Sequence, residues 1–431
     1  MKNIYIKYCT WLLCIGAVFA SCSPDDIIVG DNSIVDITSV DSIGIAPDYL
    51  SVIANGVAVL DLRPQLFRKE KQGDSIRVIQ ILDARVNDEW IEYSANTSLP
   101  VSRYFSTNNQ SLVGSEIGIT AKIKGTNIYS EEVKIKVVAP VTITREITIP
   151  VVFHILQTQE DVENFGYFNY AKIDMIVKKL NNAFGNVAPN AIGIDTKITF
   201  KKAVYDHLGN RLHEEGVNRL SPLTSIGTER NKEVAYYDSL LQELKIVWPT
   251  DQYMNIWLVT DRTTPDFGSI ISERNIPGYY TGSGENVPNG LNLRPYDSSV
   301  KFTVFQSGVI YKSQLINAVE TSTGNSGTAS DNDLLYYVGK YLGLLQTFSF
   351  TSNANPDYCD DTHNYSIENN TNTQMYKTAN NCYFLSTNIM DDPTGVHTSV
   401  SQDQYKRIFW ILENSPERSA WKSSFAFTGN K

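Results

Sequence analysis

The sequence has little histidine and little cysteine, the residue types that hold most structural and catalytic zinc ions. Its 431 residues include five of each. No two histidines stand four residues apart, and the pattern HExxH is absent. This excludes the common arrangement in which two imidazoles on one helical face grip zinc. Only Cys359 and Cys382 follow residue 22, too few for a metal site made of thiolates alone.

Positive charge is also scarce. The chain has 37 Lys and Arg against 47 Asp and Glu, a net charge of −10. Such a chain is repelled by phosphates, which argues against nucleic acid as a partner. A hydrophobic fraction of 42% with 19% charged residues is typical of globular proteins, and the length predicts two folded domains.

A hydrophobic run long enough to cross a membrane is missing from the N-terminus. Lys2 and Lys7 precede an apolar run at 9–19, shorter than the roughly 20 residues that a spanning helix needs. We interpret residues 1–22 as a signal peptide. Residues 19–22, FASC, resemble the lipobox of bacterial lipoproteins, in which the cysteine, here Cys22, is acylated. The following SPDD resembles the surface-export signal of Bacteroidota lipoproteins.

These resemblances imply a lipoprotein held at the outer membrane, on the cell surface, by acyl chains such as palmitate on Cys22. Removal of residues 1–22 takes away two Lys and no acid, so the net charge moves from −10 to −12. The alternative is secretion without lipidation, in which Cys22 would carry an unmodified thiol. In an oxidising envelope, Cys359 and Cys382 are expected to form a disulfide.

Residues 33–140 consist of short alternating runs separated by turn-rich gaps, with no helical window. Alternation of period two predicts strands with one buried face, so we expect an all-β immunoglobulin-like sandwich that serves as a spacer. Binding of glycans or proteins by this module is the alternative. The runs are AVLDL at 58–62, SIRVIQILDARV at 75–86, EIGITAKIKG at 116–125 and VKIKVV at 133–138.

The pattern of apolar residues changes after residue 146, where continuous apolar runs alternate with segments of helical spacing. This predicts an α/β or α+β domain after residue 146. The predicted strands lie at 148–156, 196–204, 254–261 and 307–311, and the predicted helices lie at 172–186, 233–248, 334–348 and 402–414. The polar, Asn-rich stretch 349–387 is predicted to be a long loop region that the disulfide staples.

Several motifs of this domain occur in the order found in the pappalysin family of zinc metallopeptidases, within the metzincins. IPVVFHIL, NNAFGN, EEGVNRL and NIWLV come first. VGKYLGLLQTF at 338–348, DYCDDTH at 357–363 and NIMDD at 388–392 follow. The last three resemble the family's HEVGHxLGLxHTF, DYCxDTP and NIMDY, the last being its Met-turn. The resemblance covers residues 146–421 and implies a metzincin-like fold.

The same resemblance implies that the zinc site has degenerated. The family's three histidines fall on Tyr336, Lys340 and Gln346, and its general-base glutamate falls on Tyr337, while Met390 of the Met-turn is retained. Phenols with a pKa near 10, an ammonium and an amide are poor zinc ligands, and no carboxylate remains to activate water. We therefore expect no metal cofactor and no activity, a pseudoenzyme.

A protease-like cleft can still bind an extended peptide or protein by strand addition, with SGVIY at 307–311 as a contributor. Two alternatives stay open. One is an active zinc-dependent endopeptidase of the pappalysin type that uses non-standard ligands. The other is a structural or adhesive envelope component in which Tyr336, Tyr337 and Gln346 pack the cleft shut.

Three further expectations concern polar residues. Clustered oxygen donors hold Ca²⁺, so the acidic loop at 357–361 is either a calcium site made by Asp357, Asp360 and Asp361 or a solvated loop. Lys340 is expected either to pair with a carboxylate of the Met-turn or to point into water. Of the histidines, His154 is expected in the core and His363 on a surface loop.

Overall fold

The computed structural model of this protein describes part of the chain, and all structural statements below concern that part. The described residues are 27–29, 36–73, 75–81, 86–187, 193–221, 246–259, 276–313, 331–349, 357–367, 376–379, 382–392 and 395–430.

The described residues are mostly strands with few helices. In chain order the strands are β1 (Ile27–Val29), β2 (Ser42–Ile45), β3 (Ser51–Ile53), β4 (Leu60–Asp61), β5 (Pro64–Gln72), β6 (Ser75–Ile81), β7 (Ile91–Ala95), β8 (Tyr104–Phe105), β9 (Glu116–Ile123), β10 (Val133–Val138), β11 (Ile147–Leu156), β12 (Ile198–Lys202), β13 (Val217–Leu220), β14 (Met254–Val259), β15 (Tyr279–Tyr280), β16 (Arg294–Pro295), β17 (Gly308–Lys312), β18 (Phe348–Ser349), β19 (Tyr365–Ser366), β20 (Tyr376–Ala379) and β21 (Cys382–Leu385). The α-helices are α1 (Gln159–Phe165), α2 (Tyr170–Phe184), α3 (Val304–Ser307), α4 (Asp331–Tyr341), α5 (Gln402–Asn414) and α6 (Phe425–Thr428).

The chain divides into two compact units. The first comprises residues up to 47, 62–105 and 117–135, and the second comprises 48–61, 106–116 and everything from 136 onward. This division assigns 48–61 and 106–116 to the second unit, whereas the sequence places them in the predicted 33–140 domain.

The first unit is built from strands with short alternating patterns. β2, β5 and β6 pair in antiparallel fashion, and β1 joins β6 in parallel. β7 pairs with β9 in antiparallel fashion from Ile91 opposite Ile123 to Ala95 opposite Ile119. The alternating burial of β7 and β9 gives each one core-facing side, as period-two sequences require. The prediction of a β-rich N-terminal region is confirmed.

The second unit contains a parallel sheet in the order β12-β11-β14-β17, with β13 also pairing with β11. β14 is buried along its whole length, and β11 is buried except at Thr148. Continuous apolar sequence is what a parallel strand covered on both faces needs. The prediction of an α/β region after residue 146 is confirmed at this level.

Capping residues set where the helices begin. Thr158, Thr303 and Ser401 each accept a hydrogen bond from the third helical residue and complete a capping box. α2 and α5 match the predicted helices at 172–186 and 402–414. The predicted helix at 233–248 lies largely outside the described residues. Among the described helices, none is long and apolar enough to cross a membrane.

Two expectations about the region after residue 349 differ from the structure. β20 and β21 form an antiparallel hairpin within the stretch predicted to be loop. His363 is buried and its ring stacks on Phe384 at a centroid distance of 4.2 Å, so the prediction of a surface histidine is wrong. The sequence around both features has no period that would have indicated them.

Candidate functional site

The candidate site begins on helix α4. Leu334, Leu335 and Val338 bury the apolar face of this helix. Tyr336 and Lys340 are one turn apart, so their side chains lie on the same face. The Lys340 Nζ lies 5.0 Å from the centroid of the Tyr336 ring, within cation–π range.

Gly343 turns the chain sharply out of α4. The amide of Gly343 donates to the carbonyl of Lys340 at 2.9 Å, and the amide of Leu344 donates to that of Gly339 at 3.0 Å. Gly343 has φ of +87°, a left-handed conformation that suits glycine. A Cβ at this position would also lie 2.5 Å from Ile411 Cγ1 on helix α5. Backbone conformation and packing therefore both require glycine here.

The turn brings the side chain of Gln346 back beside helix α4. The Tyr336 hydroxyl donates to Gln346 Oε1 at 2.9 Å, and Gln346 Nε2 donates to the carbonyl of Phe348 at 2.8 Å. The half-buried Tyr337 ring lies 5.1 Å from the Tyr336 ring. The structure thus brings together Tyr336, Tyr337, Lys340 and Gln346, which we call the ligand-position cluster.

This cluster does not fit zinc. Its donors are two phenols, an ammonium and an amide, and a neutral phenol or amide binds zinc far more weakly than imidazole or thiolate does. A lysine ammonium repels a dication unless it loses its proton. Among the described residues, no three His, Cys, Asp or Glu side chains are grouped so that they could hold a metal ion.

The turn at 388–392, for which we keep the name Met-turn that the resemblance implies, lies beside this cluster. Met390 is fully buried, and its Sδ occupies the space that a side chain at Gly339 of α4 would need. The amide of Thr347 donates to the carbonyl of Met390 at 3.1 Å. Thr347 directly follows Gln346, so the turn at 388–392 is joined to the ligand-position cluster through one residue.

Buried charges stand next to Met390. Asp391 accepts hydrogen bonds from Thr347 Oγ1 at 2.6 Å and Ser386 Oγ at 2.9 Å. Lys377 Nζ lies 3.0 Å from Asp392 Oδ1, with side chains 4% and 14% exposed. We call Lys377, Asp391, Asp392, Thr347 and Ser386 the Met-turn cluster. Burial raises the pKa of Asp391 to about 6, against the opposing effect of its two hydroxyl donors.

Lys377 is therefore the cation that meets Asp392. The sequence predicts that Lys340 either pairs with a Met-turn carboxylate or points into water, and no local pattern indicates a role for Lys377. That residue stands alone in an Asn-rich stretch whose sequence shows no pattern. Only the β20–β21 hairpin, which the sequence did not indicate, carries it to the Met-turn. A pairing of Lys340 with Asp391 or Asp392 stays a prediction.

The carboxylates of the acidic loop 357–361 bind different partners. Asp357 accepts from the amide of Cys359 and from Thr362 Oγ1, while Asp360 pairs with Lys136 at 2.8 Å. Asp361 accepts from Ser401 Oγ at 2.7 Å and from the amide of Asp403 at 2.9 Å, at the start of α5. Burial and the nearby Asp403 raise the pKa of Asp361 to about 7. The structure gives these carboxylates capping and pairing roles and does not bring them together around a calcium position.

Cys359 is buried and forms no disulfide with any side chain that the structure describes. Burial raises the pKa of its thiol well above the usual value. The side chain of Cys382 lies outside the described residues, so the pairing of these two cysteines stays a prediction. Cys22 lies outside them too, and its acylation also stays a prediction.

His154 is a core histidine, as expected. Its Nε2 donates to Asn255 Oδ1 at 2.9 Å, and its Nδ1 accepts from Asn218 Nδ2 at 3.0 Å. Burial lowers its pKa to about 4, so the imidazole is neutral at physiological pH. We call His154, Asn218 and Asn255 the histidine cluster. Both ring nitrogens are used within the fold, which leaves none for a metal.

The Met-turn also contacts a residue that the sequence places in the N-terminal region. The Tyr49 hydroxyl lies 2.8 Å from Ser399 Oγ and 3.4 Å from Asn388 Nδ2. Asn388 Oδ1 in turn accepts from the amide of Met390 at 2.9 Å. A separation of 350 residues hides this contact from any local sequence pattern.

No protein-family model, no curated protein and no solved structure matches this chain.

Proposed function

We propose that this protein is a surface lipoprotein whose second unit is a metzincin-like domain that has lost peptidase activity and binds an extended peptide or protein segment. In this proposal the N-terminal β-rich region is an immunoglobulin-like spacer, and acyl chains on Cys22 hold the protein at the outer membrane. One observation is the main support for the proposed loss of activity. The residues at the three ligand positions bind each other, through the Tyr336–Gln346 hydrogen bond and the Lys340–Tyr336 contact.

Strand addition is the binding mode that the sheet favours. β17 stands at the end of the sheet order in the described part of the chain. Val309, Ile310 and Tyr311 are buried, so a peptide would be bound mainly through backbone groups rather than through their side chains. The Tyr311 ring lies 6.1 Å from that of Tyr337, which connects the strand to the ligand-position cluster.

A variant that restores the family ligands tests the scaffold and the loss of activity together. Tyr336→His, Tyr337→Glu, Lys340→His and Gln346→His are combined, and zinc content is measured after dialysis against buffer containing zinc. We expect about one zinc per chain in the variant and none in the wild type. A folded variant without zinc contradicts the metzincin-like scaffold. Stoichiometric zinc in the wild type, with chelator-sensitive cleavage of denatured casein, favours the active endopeptidase.

Binding is tested with the wild-type protein and fluorescein-labelled denatured casein. We expect saturable anisotropy changes without cleavage. One observation favours a closed cleft instead: Tyr336 is buried and its hydroxyl is engaged by Gln346. Absence of binding by the wild type, together with binding after Tyr336→Ala, supports that closed form.

A further inference from the structure

Lys377 is a buried cation that the proposed function does not use. It lies on β20, is 3% exposed and has its Nζ 3.0 Å from Asp392 Oδ1. An ammonium taken out of water is unfavourable unless carboxylates compensate for the lost hydration. A lysine in such a position therefore indicates a local need for positive charge.

Two consecutive carboxylates create that need. Asp391 is buried and is surrounded by neutral donors, namely the hydroxyls of Thr347 and Ser386 and the amide of Asn388. Neutral hydrogen bonds do not cancel a full negative charge. Lys377 also attracts the Asp391 carboxylate electrostatically. One ammonium therefore acts on both acids of NIMDD.

These acids connect Lys377 to the ligand-position cluster. Asp391 fixes the Thr347 hydroxyl at 2.6 Å, and Thr347 directly follows Gln346, whose side chain accepts from Tyr336. On the other side of Asp391, Met390 lies against Gly339 of α4. A shift of the Met-turn would move both contacts.

We propose that the Lys377 ammonium is a built-in structural cation that holds the Met-turn, and through it the Gln346–Tyr336 contact, in place without any bound metal. The position is a site for a primary ammonium group beside the Asp392 carboxylate and within electrostatic reach of Asp391, and the chain supplies its own occupant. The proposal does not depend on whether the cleft binds a peptide.

Chemical rescue tests the proposal. Lys377→Ala removes the ammonium and leaves Asp391 and Asp392, and a small alkylammonium ion can then take the vacated place. We expect the melting temperature to fall by about 5 to 10 °C and to recover partly with propylammonium chloride. Neither the wild type nor Lys377→Ala with Asp392→Asn should respond to propylammonium. If Lys377→Ala does not fold, Lys377→Met keeps the aliphatic stem, and its melting temperature without propylammonium is compared with that of the wild type.

Lys406→Ala is the matched control, because Lys406 pairs with Asp403 at 2.7 Å on the surface of the same unit. An exposed pair contributes little, so its melting temperature should change by less than about 2 °C. Hydrogen exchange gives the local readout: residues 346–348 and 388–392 should exchange about tenfold faster in Lys377→Ala while β14 is unchanged. The proposal is overturned by a Lys377→Ala or Lys377→Met protein as stable as the wild type, or by equal rescue of Lys406→Ala. A wild-type melting temperature that falls with chelator and returns with Ca²⁺ or Zn²⁺ also overturns it.

Discussion

The histidine cluster and the Met-turn cluster bury polar groups by opposite means. His154, Asn218 and Asn255 are neutral and satisfy one another through reciprocal hydrogen bonds. The Met-turn cluster instead places a buried ammonium beside two carboxylates. Hydrogen bonds alone suffice for neutral groups, whereas buried ions need an opposite charge. Neither cluster presents the set of metal-binding side chains that a zinc peptidase uses. We expect the two clusters to respond differently to mutation and to pH.

The largest effect is expected from His154→Ala. This change removes the partner of both asparagines and leaves a cavity beside Trp248 and Trp257, whose rings lie 5.2 and 5.7 Å from the imidazole. We expect the free energy of unfolding to fall by about 4 kcal/mol. Urea denaturation followed by tryptophan fluorescence measures it.

His207→Ala is the control for this prediction. His207 also contacts Trp248, at 5.1 Å, but it is only partly buried. Its removal should lower the free energy of unfolding by about 1 kcal/mol or less. Equal losses in the two variants would mean that the histidine cluster contributes packing against Trp248 and little through its hydrogen bonds.

Gly343→Ala addresses the turn that brings Gln346 to Tyr336. A left-handed alanine costs about 1 to 2 kcal/mol, and its Cβ would meet Ile411, so we expect a loss of about 3 kcal/mol in total. Gly282→Ala is matched in backbone, with φ of +89°, and has no atom within 4 Å of the added Cβ. Thermal or urea unfolding of both variants separates backbone strain from packing. If the two variants are equally stable, the Ile411 side chain moves to accommodate the added Cβ, and the close packing of this turn does not contribute to stability.

The two clusters should give opposite pH dependences. The pKa of Asp391 is raised from 3.8 to about 6, so its contribution to stability is complete below pH 3.8 and is lost as the pH rises through 6. The pKa of His154 is lowered from 6.5 to about 4, so its contribution is present above pH 6.5 and is lost as the pH falls through 4. Each change should be about 3 kcal/mol.

Comparing variants at pH 7 and pH 4 isolates these contributions. The stability difference between wild type and Asp391→Asn should widen as the pH falls, because the protonated Asp391 favours the folded state. The difference between wild type and His154→Ala should narrow, because the buried imidazole opposes protonation. If both differences move in the same direction, the assignment of these groups to the pH response is wrong.

The sequence predicts the framework of the second unit because its signals are local. Continuous apolar runs mark β11 and β14, and helical spacing marks α5. The meeting of Tyr336 with Lys340 follows from helical spacing, and the return of Gln346 follows from a glycine two residues after the helix ends. The convergence of these positions therefore has a plain geometric cause.

The remaining features depend on contacts that no local pattern encodes. Lys377 reaches the Met-turn through a hairpin in a stretch without periodicity. Tyr49 reaches Ser399 across 350 residues. His363 is buried by stacking on Phe384, a contact that its polar neighbours in sequence do not indicate. In each case tertiary packing, rather than propensity, decides where the side chain lies.

The smallest expected effect concerns the ligand-position cluster itself. Tyr336→Phe removes the hydroxyl that donates to Gln346 but keeps the ring that Lys340 contacts, so only the hydrogen bond is lost. We expect the free energy of unfolding to fall by about 1 kcal/mol, the usual net value of one such bond. Tyr167→Phe, at a 64% exposed position, controls for the loss of a phenol. Urea titrations of both variants provide the measurement, and a Tyr336→Phe protein at least as stable as the control would mean that the Tyr336–Gln346 bond does not hold the ligand-position cluster together.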